Sequence, residues 1–126
     1  MMRKILGLAL LAVIAASPPA PAQEDAAPAG IWKGPWYRGM TSGTMMLEVS
    51  GDGSGSVRFT NLETFGDGPA VLQKTATKAG TYEFAAFGAA GAEFAGSARL
   101  IKGGKALGGT ARYEGFPIKF ELQRAQ

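Results

Sequence analysis

The sequence predicts a small all-β domain: an antiparallel up-and-down meander of about eight strands that forms a closed or nearly closed barrel. Three observations favour this fold. Apolar and polar residues alternate with a period of two in many short segments. Turns containing glycine separate these segments, and 19 of the 126 residues are glycine. No segment has the sustained apolar period of a helix. A β-sandwich of the same strands is the alternative.

The N-terminus predicts export. Arg3 and Lys4 precede an uncharged apolar stretch over residues 5–16, and small residues and prolines follow. This order is typical of a secretory signal peptide, and the apolar stretch is shorter than the ~20 residues that a spanning helix needs. We expect a signal peptide over residues 1–22, cleaved after Ala22. The mature protein is then periplasmic or secreted and not stably inserted in a membrane.

Composition limits the functions that the mature chain could have. Residues 23–29 are predicted to be a disordered leader rich in alanine and acidic residues, and residues 30–126 a single β-barrel domain. Removal of Arg3 and Lys4 leaves 11 basic and 10 acidic residues, a net charge of +1. This near-neutral charge gives no indication of a nucleic-acid partner.

The absence of cysteine and histidine excludes several kinds of chemistry. The sequence contains neither residue, so thiolate nucleophiles, histidine-based triads and histidine-ligated zinc are unavailable. Residues 52–56 resemble a calcium loop, but strands flank them and they are interpreted as a turn. Glu63 and Asp67 share an irregular loop in which nothing predicts a catalytic arrangement. We therefore expect no enzymatic activity, cofactor or metal.

Eight predicted strands account for most apolar residues after Gly30. Successive turns are short, so neighbours in sequence pair in an up-and-down order, and closure removes exposed strand edges. The inward residues that define the strands are Trp32; Met45, Leu47 and Val49; Val57 and Phe59; a weak strand over 71–77; Tyr82 and Phe84; Phe94, Gly96, Ala98 and Leu100; Leu107, Gly109, Ala111 and Tyr113; and Phe116, Ile118, Phe120 and Leu122.

Three of these strands repeat one pattern. Residues 55–59, 96–100 and 109–113 each read glycine, hydroxyl residue, small apolar residue, arginine, large apolar residue. In a strand, the glycine and apolar positions face inward, so that small residues pack against large ones. Arg58, Arg99 and Arg112 then face outward. They form either a basic stripe for an anionic partner or pairs with neighbouring glutamates.

The aromatic residues have two interpretations. They either fill the barrel or line a small apolar pocket, because eight strands enclose just enough space for one small ligand. The candidate ligand-binding residues are Trp32, Trp36, Tyr82, Phe84, Phe94, Tyr113 and Phe120. The candidate partner-binding residues are Tyr37 and Phe65, and Phe65 either tucks over the barrel mouth or is exposed.

The sequence resembles the calycin pattern of lipocalins and of bacterial periplasmic barrels. Gly30-Ile31-Trp32 stands on the first strand, and the last strand ends in Leu122-Gln123-Arg124. The resemblance implies a barrel in which a late arginine, Arg112 or Arg124, caps the tryptophan. Through Trp32-x-Gly34, residues 43–49 and Leu122-x-Arg124, the chain is also similar to a small exported β-domain found beside serine hydrolases of the β-lactamase type.

The functional expectation is a non-enzymatic exported barrel that binds a small apolar ligand or a protein partner. The alternative is a structural or stress-type envelope protein without a small ligand. Trp32 is expected to plug the closed end of the barrel. Trp36 follows Gly34-Pro35 and is expected to matter less for stability if its indole faces solvent or a ligand.

Overall fold

The computed structural model describes residues 26–125, so the expected signal peptide and residues 23–25 lie outside the described residues. The described chain contains nine strands and one short 3-10 turn at Lys102–Gly104. The strands are β1 Gly30–Arg38, β2 Thr41–Val49, β3 Gly55–Phe59, β4 Ala70–Val71, β5 Gln73–Lys78, β6 Thr81–Phe87, β7 Glu93–Ile101, β8 Ala106–Tyr113 and β9 Phe116–Arg124.

The strands form one antiparallel sheet that curls into a nearly closed barrel. Its order is β4-β3-β2-β1-β9-β8-β7-β6-β5. The first and last long strands pair with each other, with Trp36 opposite Phe120 and Trp32 opposite Arg124. One seam remains, because β4 and β5 are not hydrogen-bonded to each other. The all-β meander and the nearly closed barrel are therefore confirmed.

The strand count differs from eight because the predicted fourth strand changes partner. β4 pairs with β3 through Ala70 and Val57, whereas β5 pairs with β6. Leu72, between β4 and β5, is buried and donates its backbone N–H to the carbonyl of Gly55. At Lys74 the backbone has φ +54° and the register with β6 shifts. One continuous segment thus crosses the seam as two strands.

The barrel interior is an apolar core. Inward positions of every long strand contribute to it, and no polar or charged residue among those described is buried. Two predicted inward residues differ: Leu100 is 47% exposed and Phe116 is 54% exposed. Leu100 lies one residue from the end of β7, and Phe116 is the first residue of β9. Both therefore lie at barrel ends, beyond the packed interior.

Inward glycines make room for aromatic rings. A Cβ atom at Gly96 would lie 2.5 Å from Cζ of Phe84, and one at Gly109 would lie 2.6 Å from Cζ of Phe120. Each ring therefore lies directly on a backbone that carries no side chain. The packing of small residues against large ones is confirmed at both positions.

Candidate functional site

The seven candidate ligand-binding aromatics lie inside the barrel and contact one another. Each is at most 3% exposed. Phe84 is central: its ring centroid lies 5.7 Å from that of Tyr82, 6.1 Å from that of Phe94 and 6.4 Å from that of Phe120. These are the separations of packed aromatic pairs. The rings thus occupy the space in which a small ligand would lie.

One end of the barrel is closed around Trp32, and we call it the Trp32 end. The indole N–H of Trp32 donates a hydrogen bond to the carbonyl of Pro28 at 2.9 Å. The guanidinium of Arg124 lies 4.2 Å from the indole centroid, a cation–π arrangement. Its two Nη atoms donate to the carbonyls of Ala29 and Gly104. Of the two candidate arginines, Arg124 covers the tryptophan.

Residues 26–29, which the sequence assigns to the leader, lie beside this end of the barrel. Pro28 is buried, and Ala27 is partly buried against the core. The carbonyls of Pro28 and Ala29 accept the hydrogen bonds from Trp32 and Arg124. The chain before β1 thus satisfies the polar groups that close the Trp32 end.

The turn over residues 50–54 covers Tyr82 at the same end. The hydroxyl of Tyr82 donates to the carbonyl of Gly53 at 2.6 Å. Burial, followed by the charge of Asp52, raises the pKa of Tyr82 to about 12. Asp52 accepts hydrogen bonds from the hydroxyl and the backbone N–H of Ser54, which hold the pKa of its carboxyl below the usual value. The segment that resembles a calcium loop therefore forms a hydrogen-bonded turn.

The opposite end, which we call the mouth, is filled by the loop between β3 and β4. Phe65 is only 2% exposed, and its ring packs against those of Phe59 and Tyr113 at 4.8 and 5.8 Å. Its carbonyl accepts the N–H of Ala89. Of the two alternatives for Phe65, the structure has the one in which the ring tucks into the mouth.

Trp36 is buried beneath the same loop. Its side chain has no exposed surface, and its indole N–H donates to the carbonyl of Thr60 at 3.0 Å. The expectation that its replacement would be mild depended on an indole that faces solvent or a ligand. That condition is not met, because Gly43 leaves room for the indole and the loop covers it.

Large apolar side chains remain exposed at the mouth. Tyr37 is 51% exposed, and Met40 and Phe116 are 104% and 54% exposed. We call these three residues the mouth patch. The guanidinium of Arg38 lies 4.7 Å from the ring centroid of Phe116 and 3.5 Å from the carboxylate of Glu114. The sequence identified Tyr37 only. Met40 and Phe116 each follow a glycine with positive φ, Gly39 and Gly115, and a glycine of this kind was the available signal of a turn at the barrel end.

One surface groove lies on the outer wall of the barrel. It has a volume of about 450 Å³, and its floor includes Ala95, Ser97 and Thr110 of β7 and β8. A second groove, of about 320 Å³, lies at the mouth between Arg38 and Glu63. Both are open to solvent, and neither lies among the packed rings of the interior.

The three repeated arginines do not form a stripe. Arg99 donates to the carbonyl of Ala79 and to the hydroxyl of Thr81. Arg58 stands on β3 opposite Met46, on another side of the barrel. In residues 26–125 none of the three pairs with a glutamate, because the ion pairs there are Arg38–Glu114, Lys74–Glu93 and Lys102–Glu121.

Two further features concern residues 26–125 only. No three acidic side chains there are grouped as ligands for a metal ion. No helix in that range is long and apolar enough to cross a membrane. Comparison of the chain with protein-family models, with characterised proteins and with solved structures gave no significant match.

Proposed function

We propose that this protein is a non-enzymatic binding module whose outer surface docks on a protein partner. The observation that carries the proposal is the contrast between the filled interior of the barrel and the apolar side chains exposed on its surface. Inside, aromatic rings such as Phe84 and Phe94 contact each other and fill the barrel. Outside, Met40 in the turn after β1 and Phe116 at the start of β9 project into solvent. The filled interior supports a surface interaction over a small apolar ligand.

The mouth patch has the composition of a binding surface. Aromatic residues, methionine and arginine are enriched where proteins associate, and exposed aromatic anchors contribute much of the binding energy. Tyr37 and Phe116 are such residues, and Arg38 stacks on Phe116 while bound to Glu114. This ion pair holds the guanidinium over the Phe116 ring, so that the two side chains form a preorganised surface for a partner.

The calycin identity and the export of the chain belong to the same proposal. Arg124 on Trp32 supports the calycin type, because it links the last strand to the tryptophan of the first. The N-terminal pattern of residues 1–22 supports secretion or a periplasmic location. Intact-mass measurement of protein from the producing cells tests export: we expect a chain that begins at Gln23, whereas a retained Met1 would contradict it.

Native mass spectrometry of protein isolated under mild conditions from the producing cells tests the function. We expect a complex with a second, different polypeptide and no bound small molecule. A retained mass increment of small-molecule size would instead favour an apolar ligand. Only bare chain, at every concentration, would favour the structural envelope protein.

The mouth patch is tested on that complex by matched substitutions. Met40→Ser and Phe116→Ser should weaken the complex, each by about tenfold, as loss of an interface anchor does. Val71→Ser and Leu100→Ser remove exposed apolar side chains elsewhere on the barrel and should change affinity little. Equal effects in both pairs would contradict the assignment of the contact to the mouth.

A further inference from the structure

Three cations face outward on the three adjacent strands β8, β9 and β1. Arg112 lies between the buried residues Ala111 and Tyr113, and Lys119 between Ile118 and Phe120, so both point away from the core. Lys33 follows buried Trp32 and is likewise exposed. All three therefore belong to one outer wall, which we call the β8–β9–β1 face.

No carboxylate on these strands is free to neutralise the three cations. The only acidic residues in β1, β8, β9 and the β8–β9 turn are Glu114 and Glu121. Glu114 pairs with Arg38, and Glu121 pairs with Lys102. Within residues 26–125, Lys33, Arg112 and Lys119 have no salt-bridge partner.

The carboxylates without a salt bridge lie on other strands and in loops, and one of them, Glu83, lines the same outer-wall groove as Arg112. In the described part of the chain, the acidic residues without a salt bridge are Glu48, Asp52, Glu63, Asp67 and Glu83, on β2, β6 and three loop positions. The small net charge of residues 23–126 is therefore compatible with a local excess of basic side chains on this face.

Tyr37 of the mouth patch also borders this face, beside Lys119. Lys119 stands directly opposite Tyr37 in the pairing of β9 with β1, and Tyr37 is half exposed. Arg112 is opposite Pro117, one step diagonally from Lys119. Lys33 is opposite Gln123, further along β9. From Arg112 to Lys33 the path covers six residues of β9 and two strand spacings, which is roughly 22 Å.

From this arrangement we propose that the β8–β9–β1 face binds an extended acidic segment of the protein partner. An extended chain rises about 3.3 Å per residue, so a segment of about seven residues spans the three cations. Its carboxylates pair with Arg112, Lys119 and Lys33, and an apolar residue between them packs on Tyr37. This inference rests on the proposed function and names the chemistry of the partner.

The shape of the face favours a polypeptide over a membrane surface. The cations follow the long side of a curved barrel wall, where a plane makes only a narrow contact. Tyr37 is the exposed large hydrophobic residue on this wall, whereas Met40 and Phe116 lie at its mouth edge. A narrow chain can follow the wall and reach all three cations.

The test measures binding of a fluorescein-labelled heptapeptide of alternating glutamate and leucine to the full mature protein by fluorescence anisotropy. We expect saturable binding that weakens as salt rises, because exposed charges are screened. Lys119→Glu and Arg112→Glu should each weaken binding on the order of fivefold or more, since each replaces an attraction with a repulsion. The matched control is Lys78→Glu, which makes the same charge change on β5 at the opposite side of the barrel.

Three results would overturn the inference. The first is no binding of the acidic peptide by correctly folded protein. The second is equal weakening by Lys78→Glu, which would indicate net charge alone. The third is binding to phosphatidylglycerol vesicles without binding to the peptide, which would indicate a membrane surface. If native mass spectrometry finds a partner whose complex is insensitive to Lys119→Glu, this inference fails and the proposed function stands; if it finds none, the proposed function fails separately.

Discussion

Trp32 and Trp36 stand four residues apart on β1 and are both fully buried, yet each is held by different groups. Trp32 donates to a carbonyl of the chain that precedes β1 and lies under Arg124. Trp36 donates to the loop that fills the mouth. Each indole has a partner for its N–H, as a buried tryptophan requires. The two residues therefore close opposite ends of one core.

Truncation of either tryptophan should strongly destabilise the protein. Trp32→Ala and Trp36→Ala should each lower the free energy of unfolding by about 3–5 kcal/mol, because each leaves a large cavity and an unpaired carbonyl. Tyr37→Ala, which removes a half-exposed ring from the same strand, should cost far less. Urea unfolding curves of the three variants measure the differences. A mild Trp36→Ala would show that the loop collapses onto the vacated space.

We expect the protein to lose stability at high pH because the pKa of buried Tyr82 is raised. Its pKa is about 12 in the folded protein and near 10.0 in an unfolded chain. The neutral hydroxyl therefore stabilises the fold fully below pH 10, and this stabilisation is lost as pH rises from about 10 to about 12. Between pH 9 and pH 11 the loss from this group should be about 1 kcal/mol.

Tyr82→Phe isolates that effect. The variant should lose about 1 kcal/mol at neutral pH, because the carbonyl of Gly53 loses its hydrogen bond. It should also lose the part of the alkaline destabilisation that Tyr82 causes, while Tyr37→Phe keeps it. Denaturant melts at pH 9 and pH 11 provide the comparison. If Tyr82→Phe loses as much stability between pH 9 and pH 11 as the parent does, another group causes that loss.

Within strand β8, the neighbouring glycines Gly108 and Gly109 have different surroundings. Gly109 of β8 faces inward beneath the ring of Phe120, whereas Gly108 faces outward. A Cβ at Gly109 would overlap the carbonyl oxygen of Ser97 on β7 as well as the ring. A Cβ at Gly108 would meet only the side chain of Ile101, whose flexible end, Cδ1, would lie 3.0 Å away.

Alanine at these two positions should therefore have different effects. Gly109→Ala should destabilise the barrel by about 1–3 kcal/mol, because the backbone of β7 and the Phe120 ring must both shift. Gly108→Ala should be within about 0.5 kcal/mol of the parent, since Ile101 can move. Thermal melts of the two variants measure the difference. Similar melting temperatures of the two variants would show that the backbone of β8 can move to accommodate a Cβ at Gly109.

At the scale of the whole molecule, the barrel is closed on one side and open on the other. β1 and β9 join the two ends of the domain through direct pairing, whereas β5 has β6 as its only hydrogen-bonded neighbour in the described sheet. Lys74, Lys78 and the bulge at Lys74 protect that edge, since charges and bulges discourage pairing with another chain.

The seam should be the first part of the barrel to open. Amide hydrogen exchange in β4 and β5 should be on the order of 100-fold faster than in β1 and β9, because few backbone hydrogen bonds hold the segment over 70–78. Exchange followed by mass spectrometry on peptides from the two regions gives this ratio. Equal protection would mean that the domain opens only as a unit.

Local sequence pattern was enough to predict the class of fold, the inward residues of most strands and the packing of small residues beneath large ones. It could do so because the two-residue period of a strand is a local property, and each segment carries it independently. Trp32, Phe84 and Phe120 were assigned to the interior on that basis. The resemblance to the calycin pattern gave Arg112 and Arg124 as candidates for the capping arginine. Their positions in the sequence did not show which of the two contacts Trp32.

Tertiary structure decided that choice and the others that depend on contacts between distant residues. Arg124 meets Trp32 because β9 pairs with β1. Phe65 lies inward beside the loop after β6, where its carbonyl accepts the N–H of Ala89. The predicted fourth strand is divided into β4 and β5 because the sheet does not close between them. On the β8–β9–β1 face, Glu114 pairs with Arg38 and Glu121 pairs with Lys102. Within residues 26–125 this leaves Lys33, Arg112 and Lys119 without a salt bridge. Pairing across the barrel is non-local, and no period in the sequence encodes it.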